Sequence, residues 1–568
     1  MDGNNYVIQS LNELGIRKYV GVNGGGLIYF LSNLSPLGGI EQSASFKTIS
    51  EYAAGFVPLG SYLASREISA TAVTTGAATK LVGSGISDAK IHNIPAVFII
   101  ALNSTTSAEK SPLQDVTPHG ANIIRQIQAE LGDGCIVLDA IEELASKLET
   151  AKAILANSRP VALLFHPDVL CKTVPEKTKP ASTQKNIYTP NDNFVQSFLK
   201  VADNRRIVIF VGEEAAREPA MKHLSKQAAV RLQAPMVWSV NGANGVSEDN
   251  PYGYGHISFG GNCQALRIWE SLGEDDVLLL LGFEPTEYVI NLKTINAGSV
   301  WHLSNIKNAY GSKNGNHAHY FSGKYHRIHG RISGRLSDLI QGLDALPIHR
   351  PKTTILTNLN SKPDTKENMQ TLAGTVNIID FYRELEKYWR PHSIGFDDIF
   401  VSYRDRQFIT QRPIDHIPFY ALYGGSAMGS AFGLGIGAKM SDPSLNTFIF
   451  SGDGCWRLYG GGLADVASMG IRLFMMDNNI YGIVQQGLRH VMPNTPEERY
   501  HANIGKIDFI AAAKAHGWDA ITLADDLSNM NEIMALCYKP GPSLLIRAPL
   551  DPSQSVGSNP RIKNITYL

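Results

Sequence analysis

Short apolar runs of strand length alternate with amphipathic segments along almost the whole chain, and that alternation admits few folds. The runs include Lys18–Val22, Ala70–Thr74, Ala96–Ala101, Val161–Phe165, Ile207–Val211, Val277–Leu281, Thr447–Phe450, Leu473–Met476 and Ser543–Ile546. A strand covered on both faces reads as a continuous apolar run, and the segment between two such strands has the length of a crossover helix. The chain is therefore expected to be α/β, built of βαβ units around doubly wound parallel sheets. At 568 residues it is too long for one hydrophobic core. Two polar stretches, Lys172–Asp192 and Arg350–Gln370, are rich in Pro, Lys, Thr, Ser and Asn and hold no period, so they read as interdomain connections. Three α/β domains follow, over 1–175, 190–350 and 372–568.

Composition narrows the partners. With 51 basic against 52 acidic residues and no basic block, nothing points to nucleic acid; small molecules and copies of the same chain fit better. The five cysteines form no CxxC pair, which argues against a zinc site or disulfide framework and for a reducing compartment. The N-terminus lacks a basic segment followed by an apolar run, and no apolar stretch approaches the ~20 residues of a membrane span. The chain reads as cytoplasmic.

The most informative stretch starts at Asn446, NTFIFSGDGCWRLYGGGLADVASMGIRLFMMDNNIYGIVQQG. One apolar strand ends in Gly452-Asp453-Gly454. A second ends in Asp477-Asn478-Asn479-Ile480-Tyr481-Gly482, one βαβ unit later. Both polar groups should sit at carboxyl ends of strands, where open α/β sheets bind ligands. A carboxylate, an amide oxygen and a backbone carbonyl are hard oxygen ligands, suited to a magnesium ion completed by phosphate oxygens and water. The glycines beside Asp453 let backbone N–H groups approach a phosphate, and the following helix would offer its N-terminus to the same anion. An Asp between two glycines is usually only a turn. The chain holds such a copy in Gly132-Asp133-Gly134, which begins the strand Ile136–Leu138 instead of ending one. Asp133 reads as a turn.

GDG followed one βαβ unit later by an Asn pair resembles the diphosphate and metal motif of thiamine-diphosphate enzymes. The preceding YGGSAMGSAFGLGIGAKMSDP is similar to their GxMGxxxPxAxGAKxAxP stretch, matching at Met428, Gly429, Gly437, Ala438, Lys439 and Pro443; Leu434 stands where many relatives have proline. Asp-Asn-x-x-Tyr-Gly resembles the DNGxYG of phosphonopyruvate and sulfopyruvate decarboxylases. That implies metal binding by Asp453, Asn478 and the Ile480 carbonyl, whereas loop length alone favours Asn479. The resemblance further implies Met428 beneath a bent cofactor and the Ser426 carbonyl near its amino group. Gly452, Gly454, Cys455, Tyr481 and Gly482 would complete its surroundings.

Such enzymes also need a carboxylate beside the aminopyrimidine ring, sharing a proton with a ring nitrogen, with burial raising its pKa. Glu51, Ala54, Gly55, Phe56 and Gly60 match the family pattern E-x-x-A-G-[YF]-x-x-x-G. Downstream, VTTGAATKLVGSGISDAKIHNIPAVFIIA resembles the VTSGPGATNxxTGIADAxxxxIPMVxxxG segment of acetolactate synthases, departing at Leu81. Ser50 is expected to cap a helix that Glu51 opens, with Phe56, Leu59 and Leu63 as its apolar stripe and Pro58 kinking it. Glu41 is a rival, ten residues too far upstream. Gly24, Gly25 and Gly26 are similar to the synthases' PGGA turn. Gln114 falls near their active-site Gln, a surface-loop Gln being the other reading. His119 is either a partner for a substrate carboxylate or a solvated loop residue. The paired histidines of pyruvate decarboxylases are absent.

The resemblance spans nearly the whole chain. It implies a pyrimidine-binding first domain, a central domain and a diphosphate- and metal-binding third domain. Thiamine diphosphate and Mg2+ are the implied cofactors, and nothing in the central VNGANGVSEDNPYGYG requires FAD. A homodimer or homotetramer is implied, with sites between the first domain of one subunit and the third of another. The expected activity is acetolactate-synthase-like: decarboxylation of a 2-oxo acid, then carboligation to a second carbonyl. The alternatives are a simple decarboxylase releasing an aldehyde and a catalytically silent cofactor-binding subunit, against which the presence of Glu51 argues.

Overall fold

The computed structural model describes all residues except 39–42, 108–109, 176–192, 258–260, 346–348, 350–370, 412–413, 555, 558, 560 and 566–568. The polar connection 350–370, the greater part of 172–192, and Glu41 lie outside the described residues. Three separate sheets form, and every ladder between their strands is parallel. In spatial order the first holds Ser35–Pro36, Ser45–Thr48, Lys18–Val22, Ala70–Val73, Val97–Ala101, Val161–Phe165 and Cys135–Leu138. The second holds Gly253–His256, Met236–Trp238, Ile207–Val211, Val277–Leu281, Ser299–Ser304 and Lys324–His329. The third holds Phe419–Ala421, Ser393–Asp397, Asn446–Gly452, Arg472–Asp477, Leu544–Pro549 and Asp519–Thr522. The central strands are buried along their length, as their unbroken apolar runs require.

Strand order fixes where ligands can enter. In each sheet the strands on one side of a switch point all precede in sequence those on the other, leaving a crevice at the carboxyl ends of two neighbouring strands. In the first sheet these strands are Lys18–Val22 and Ala70–Val73; in the third they are Ser393–Asp397 and Asn446–Gly452. Gly24–Gly26 follow the first of those four strands, and Asp453 follows the last.

The first and third sheets share one apolar core, joining Ile49, Phe56, Leu59 and Ile100 to Leu434, Ile436, Leu473 and Trp518. Helices Val57–Ser65 and Ser430–Ser441 meet there almost backbone to backbone. A Cβ at Gly60 would stand 2.0 Å from the Leu434 carbonyl oxygen, and one at Gly437 would stand 2.1 Å from that of Val57. Those two glycines are needed for close approach.

The segment after Ser50 departs from expectation. Pro58 does not kink one helix; the chain forms a short helix Glu51–Ala54 and a second, Val57–Ser65, with the proline in its first turn, where the missing N–H costs no hydrogen bond. Ser50 occupies the cap position, but its side chain makes no capping hydrogen bond. Phe56, Leu59 and Leu63 are buried as the stripe predicts. Asp133 lies in a 3-10 turn before Cys135–Leu138 and pairs with Arg159, a structural role. No described helix is long and apolar enough to cross a membrane.

Candidate active site

The crevice of the third sheet opens into a cavity of about 310 Å³. Its wall gathers most of the third-domain residues singled out from sequence: Ser426, Met428, Gly452, Asp453, Gly454, Cys455, Asn478, Ile480, Tyr481 and Gly482. Strands Asn446–Gly452 and Arg472–Asp477 are adjacent, with Gly452 beside Met476, so Asp453 and Asn478 leave the sheet side by side.

Asp453 is 4% exposed. Its Oδ1 accepts the Gly454 N–H at 2.8 Å, and its Oδ2 accepts those of Asn478 at 3.2 Å and of Asn479. Burial pushes its carboxyl up to about 6, with Asp477 adding to the rise and the N–H donors opposing it. A buried carboxylate facing a cavity, with no cation beside it among the described residues, is the electrostatic demand that a divalent ion meets. Asn478 Oδ1 accepts the Ile480 N–H at 3.1 Å, which folds the loop tightly over Asp453. Asn478 lines the cavity; Asn479, held at φ +60°, is not among the lining residues. The expected helix after Asp453 is shorter than predicted: Asp453–Trp456 is a single turn, followed by 3-10 structure over Gly460–Met469.

Sequence reasoning missed the residue beneath this loop. Asp398, fully buried after strand Ser393–Asp397, accepts the N–H of Gly429 at 2.8 Å and the Ser451 hydroxyl at 2.7 Å. It thereby ties the Met428 turn to the strand that delivers Asp453. Burial raises its carboxyl to about 6. The signal was available in FDDIF, an acidic pair at a strand's carboxyl end. Phe400, Val401, Ile483 and Val484, which complete the cavity, carried no signal in sequence.

The first-domain candidates form a second group at their own sheet's crevice. The Gly26 N–H donates to Thr74 Oγ1 at 3.3 Å, and the Thr75 hydroxyl donates to Gln114 Oε1 at 2.9 Å. Gln114 is an exposed loop residue at φ +55°, with its side chain against Gly76. Gly25 is open, with nothing within 4 Å of where a Cβ would stand. His119 is exposed. Glu51 is half-buried, short of the enclosure expected of it, and does not line the cavity. Its neighbour Tyr52 reaches across to donate its hydroxyl to the Met428 carbonyl.

A buried polar network holds the 423–428 loop from behind. Asp88 Oδ1 accepts the Gly425 N–H at 2.8 Å; His92 Nε2 accepts that of Gly424 at 3.1 Å, leaving the ring proton on Nδ1, 2.8 Å from Glu213. Glu213 also pairs with Arg217, whose guanidinium donates to the His92 carbonyl at 2.6 Å. Burial would push the Glu213 carboxyl up, but His92 and Arg217 outweigh it and hold the group down to about 2. Glu213→Gln leaves Arg217 without its carboxylate in the interior, a change that costs ~3–5 kcal/mol. Calorimetric unfolding should show the transition several degrees lower, with Arg217→Met added to Glu213→Gln recovering part of the loss. An unchanged transition would remove this network from the account.

The sequence matches two family models, described as thiamine pyrophosphate enzyme, N-terminal TPP binding domain, over residues 1–122, and thiamine pyrophosphate enzyme, C-terminal TPP binding domain, over residues 403–546. The acetolactate synthase isozyme 1 large subunit of Escherichia coli (strain K12) is 21% identical over 576 residues, covering 96% of this chain and 93% of that protein. The Rhodococcus jostii RHA1 thiamine diphosphate-dependent 4-hydroxybenzoylformate decarboxylase has the same fold, with a TM-score of 0.77 over 97% of this chain and 99% of its own at 14% identity.

Proposed function

We propose that this chain, which belongs to the thiamine-diphosphate-dependent enzymes, decarboxylates a 2-oxo acid and joins the acyl unit to a second carbonyl compound. The observation that carries the reading is the Asp453 carboxylate, buried at the switch point beside Asn478 on the wall of the cavity. Asp453, the Asn478 side-chain oxygen and the Ile480 carbonyl would hold Mg2+, and backbone N–H groups around Gly452–Cys455 would face the diphosphate. Met428 would support the bent cofactor, with Ser426 near its amino group. Bound there, the cofactor supplies a carbon nucleophile for the substrate's 2-carbonyl and accepts the electron pair left by CO2.

The remaining roles fall to the first domain. Glu51 would share a proton with the pyrimidine nitrogen, and its half-exposure in the single chain suits a carboxylate that completes the site of a neighbouring subunit in a homodimer or homotetramer. Gln114, held by Thr75, orients a carbonyl acceptor without supplying a proton at neutral pH.

Carboligation is favoured because release of an aldehyde requires a proton donor at the carbon that has lost CO2. The paired histidines of pyruvate decarboxylases are absent from the sequence, and among the described third-domain residues of the cavity wall there is no imidazole and no ammonium group. Product analysis of the purified protein with thiamine diphosphate, Mg2+ and a panel of 2-oxo acids, with and without added aldehydes or ketones, should therefore give hydroxyketone or hydroxyacid adducts. A second reading, simple decarboxylation, is favoured by the loop Asp477-Asn478-Asn479-Ile480-Tyr481-Gly482, with Ile480 on the cavity wall. Free aldehyde as the main product under every acceptor condition would establish that reading instead.

A further inference from the structure

A second cavity, of about 260 Å³, adjoins the first and shares Phe400, Val401, Ile483 and Val484 with it. Its far side is lined by Tyr288 of the central domain, by Leu488 on helix Gly482–Val491 and by Ile562 and Ile565 of the C-terminal segment, and stays partly open to solvent, with Val484 and Ile565 exposed. The two cations on its wall are already matched. Arg404 is buried 3.3 Å from Asp405 and donates to Gln486 at 2.7 Å, while Arg561 lies 3.3 Å from Glu287. The chamber is thus apolar and electrically balanced, with no demand for a second anion. Asn559 Oδ1, also on the wall, is buried and has no hydrogen-bond partner among the described residues.

We propose that this chamber receives the side chain of the donor 2-oxo acid, and that the preferred donor carries a bulky apolar group, branched aliphatic or aryl, in place of a methyl. The inference rests on the 2-oxo-acid reading above. An apolar cavity of ~150 Å³ encloses a benzene ring, so this one has room for such a group with space to spare. The methyl of pyruvate would leave most of the wall without contact partners, forfeiting their dispersion energy. A substrate carboxylate has no free cation in the chamber and would stay at the cofactor end, which orients the apolar group outward. Asn559 would then accept a hydrogen bond from any donor carried at the far end of that group.

Gly487 gives the test. It lies on the chamber wall within helix Gly482–Val491, and a Cβ there would meet nothing within 4 Å, so Gly487→Leu enters open space and improves the helix. CO2 release by the holoenzyme is measured with pyruvate, 4-methyl-2-oxopentanoate and benzoylformate. Calorimetry gives the Kd values of acetate, phenylacetate and the cofactor. The chamber predicts kcat/KM on the order of 100-fold higher for one of the bulky acids than for pyruvate. In Gly487→Leu that preference should fall by on the order of tenfold, with the cofactor Kd unchanged. Pyruvate as the best donor, or a preference that Gly487→Leu leaves untouched, overturns the inference while the 2-oxo-acid reading stands. If no 2-oxo acid loses CO2, that reading falls and the chamber is judged on binding alone. Phenylacetate binding more tightly than acetate in the parent and not in the variant supports an apolar-acid site; equal affinities overturn it.

Discussion

Asp453→Asn should weaken thiamine diphosphate binding by on the order of 100-fold or more, while the folded chain survives. The amide keeps one oxygen, which can accept the N–H groups of Asn478 and Asn479, while its NH2 leaves the Gly454 N–H without an acceptor, so the turn retains two of its three hydrogen bonds. What it loses is the one anionic ligand assigned to the metal, and without a cation the diphosphate meets only neutral donors. Asp453→Ala should lose the cofactor equally and also lose some stability, because three buried N–H groups then lack an acceptor, at ~1–3 kcal/mol each where water cannot replace it. Calorimetric titration of both variants, beside their unfolding transitions, separates the two effects. Cofactor affinity unchanged in either variant would remove Asp453 from the metal site.

Glu51→Gln should keep the cofactor within a few-fold of its parent affinity and lose ~10²- to 10⁴-fold in turnover. The amide preserves the shape and one hydrogen bond but cannot exchange a proton with the ring nitrogen. The accompanying signature is slower deuterium exchange at the thiazolium carbon of the bound cofactor. If Glu41→Gln slows that exchange and Glu51→Gln does not, the assignment moves to Glu41. The two variants together also test the assembly. Mixing and reassembling Glu51→Gln with Asp453→Asn chains should restore about a quarter of parental activity if each site draws Glu51 from one subunit and Asp453 from another. Sites built within one chain give no recovery.

The parts of the site that repeat along a strand were legible in sequence, and the parts that meet across the fold were not. The runs ending at Gly452 and Asp477 announced two buried parallel strands, and their adjacency follows from the length of one βαβ unit. The acidic pair in FDDIF marks Asp398 at a strand's end, but its hydrogen bond to Gly429, 31 residues away, is reported by no local pattern. The same holds for His92 and Glu213, which meet only when the first and central domains pack. Strand Lys324–His329 escaped because it lies at a sheet edge, half exposed, and needs no continuous apolar run. Pro58 was read as a defect within one helix, whereas the chain uses it to begin a second. Glu51 stands out by its flanking pattern, which says nothing of its burial, and in the chain it is only half-buried.

A divalent cation between Asp453 and Asn478 is proposed to anchor thiamine diphosphate in the third-domain cavity. Titration of thiamine diphosphate into the purified protein by calorimetry, with Mg2+ and again after chelation by EDTA, tests it most directly. The expected result is saturable binding of one cofactor per chain that is lost on chelation and restored when Mg2+ is returned in excess. Absence of binding with Mg2+ present, or binding indifferent to chelation, would contradict it.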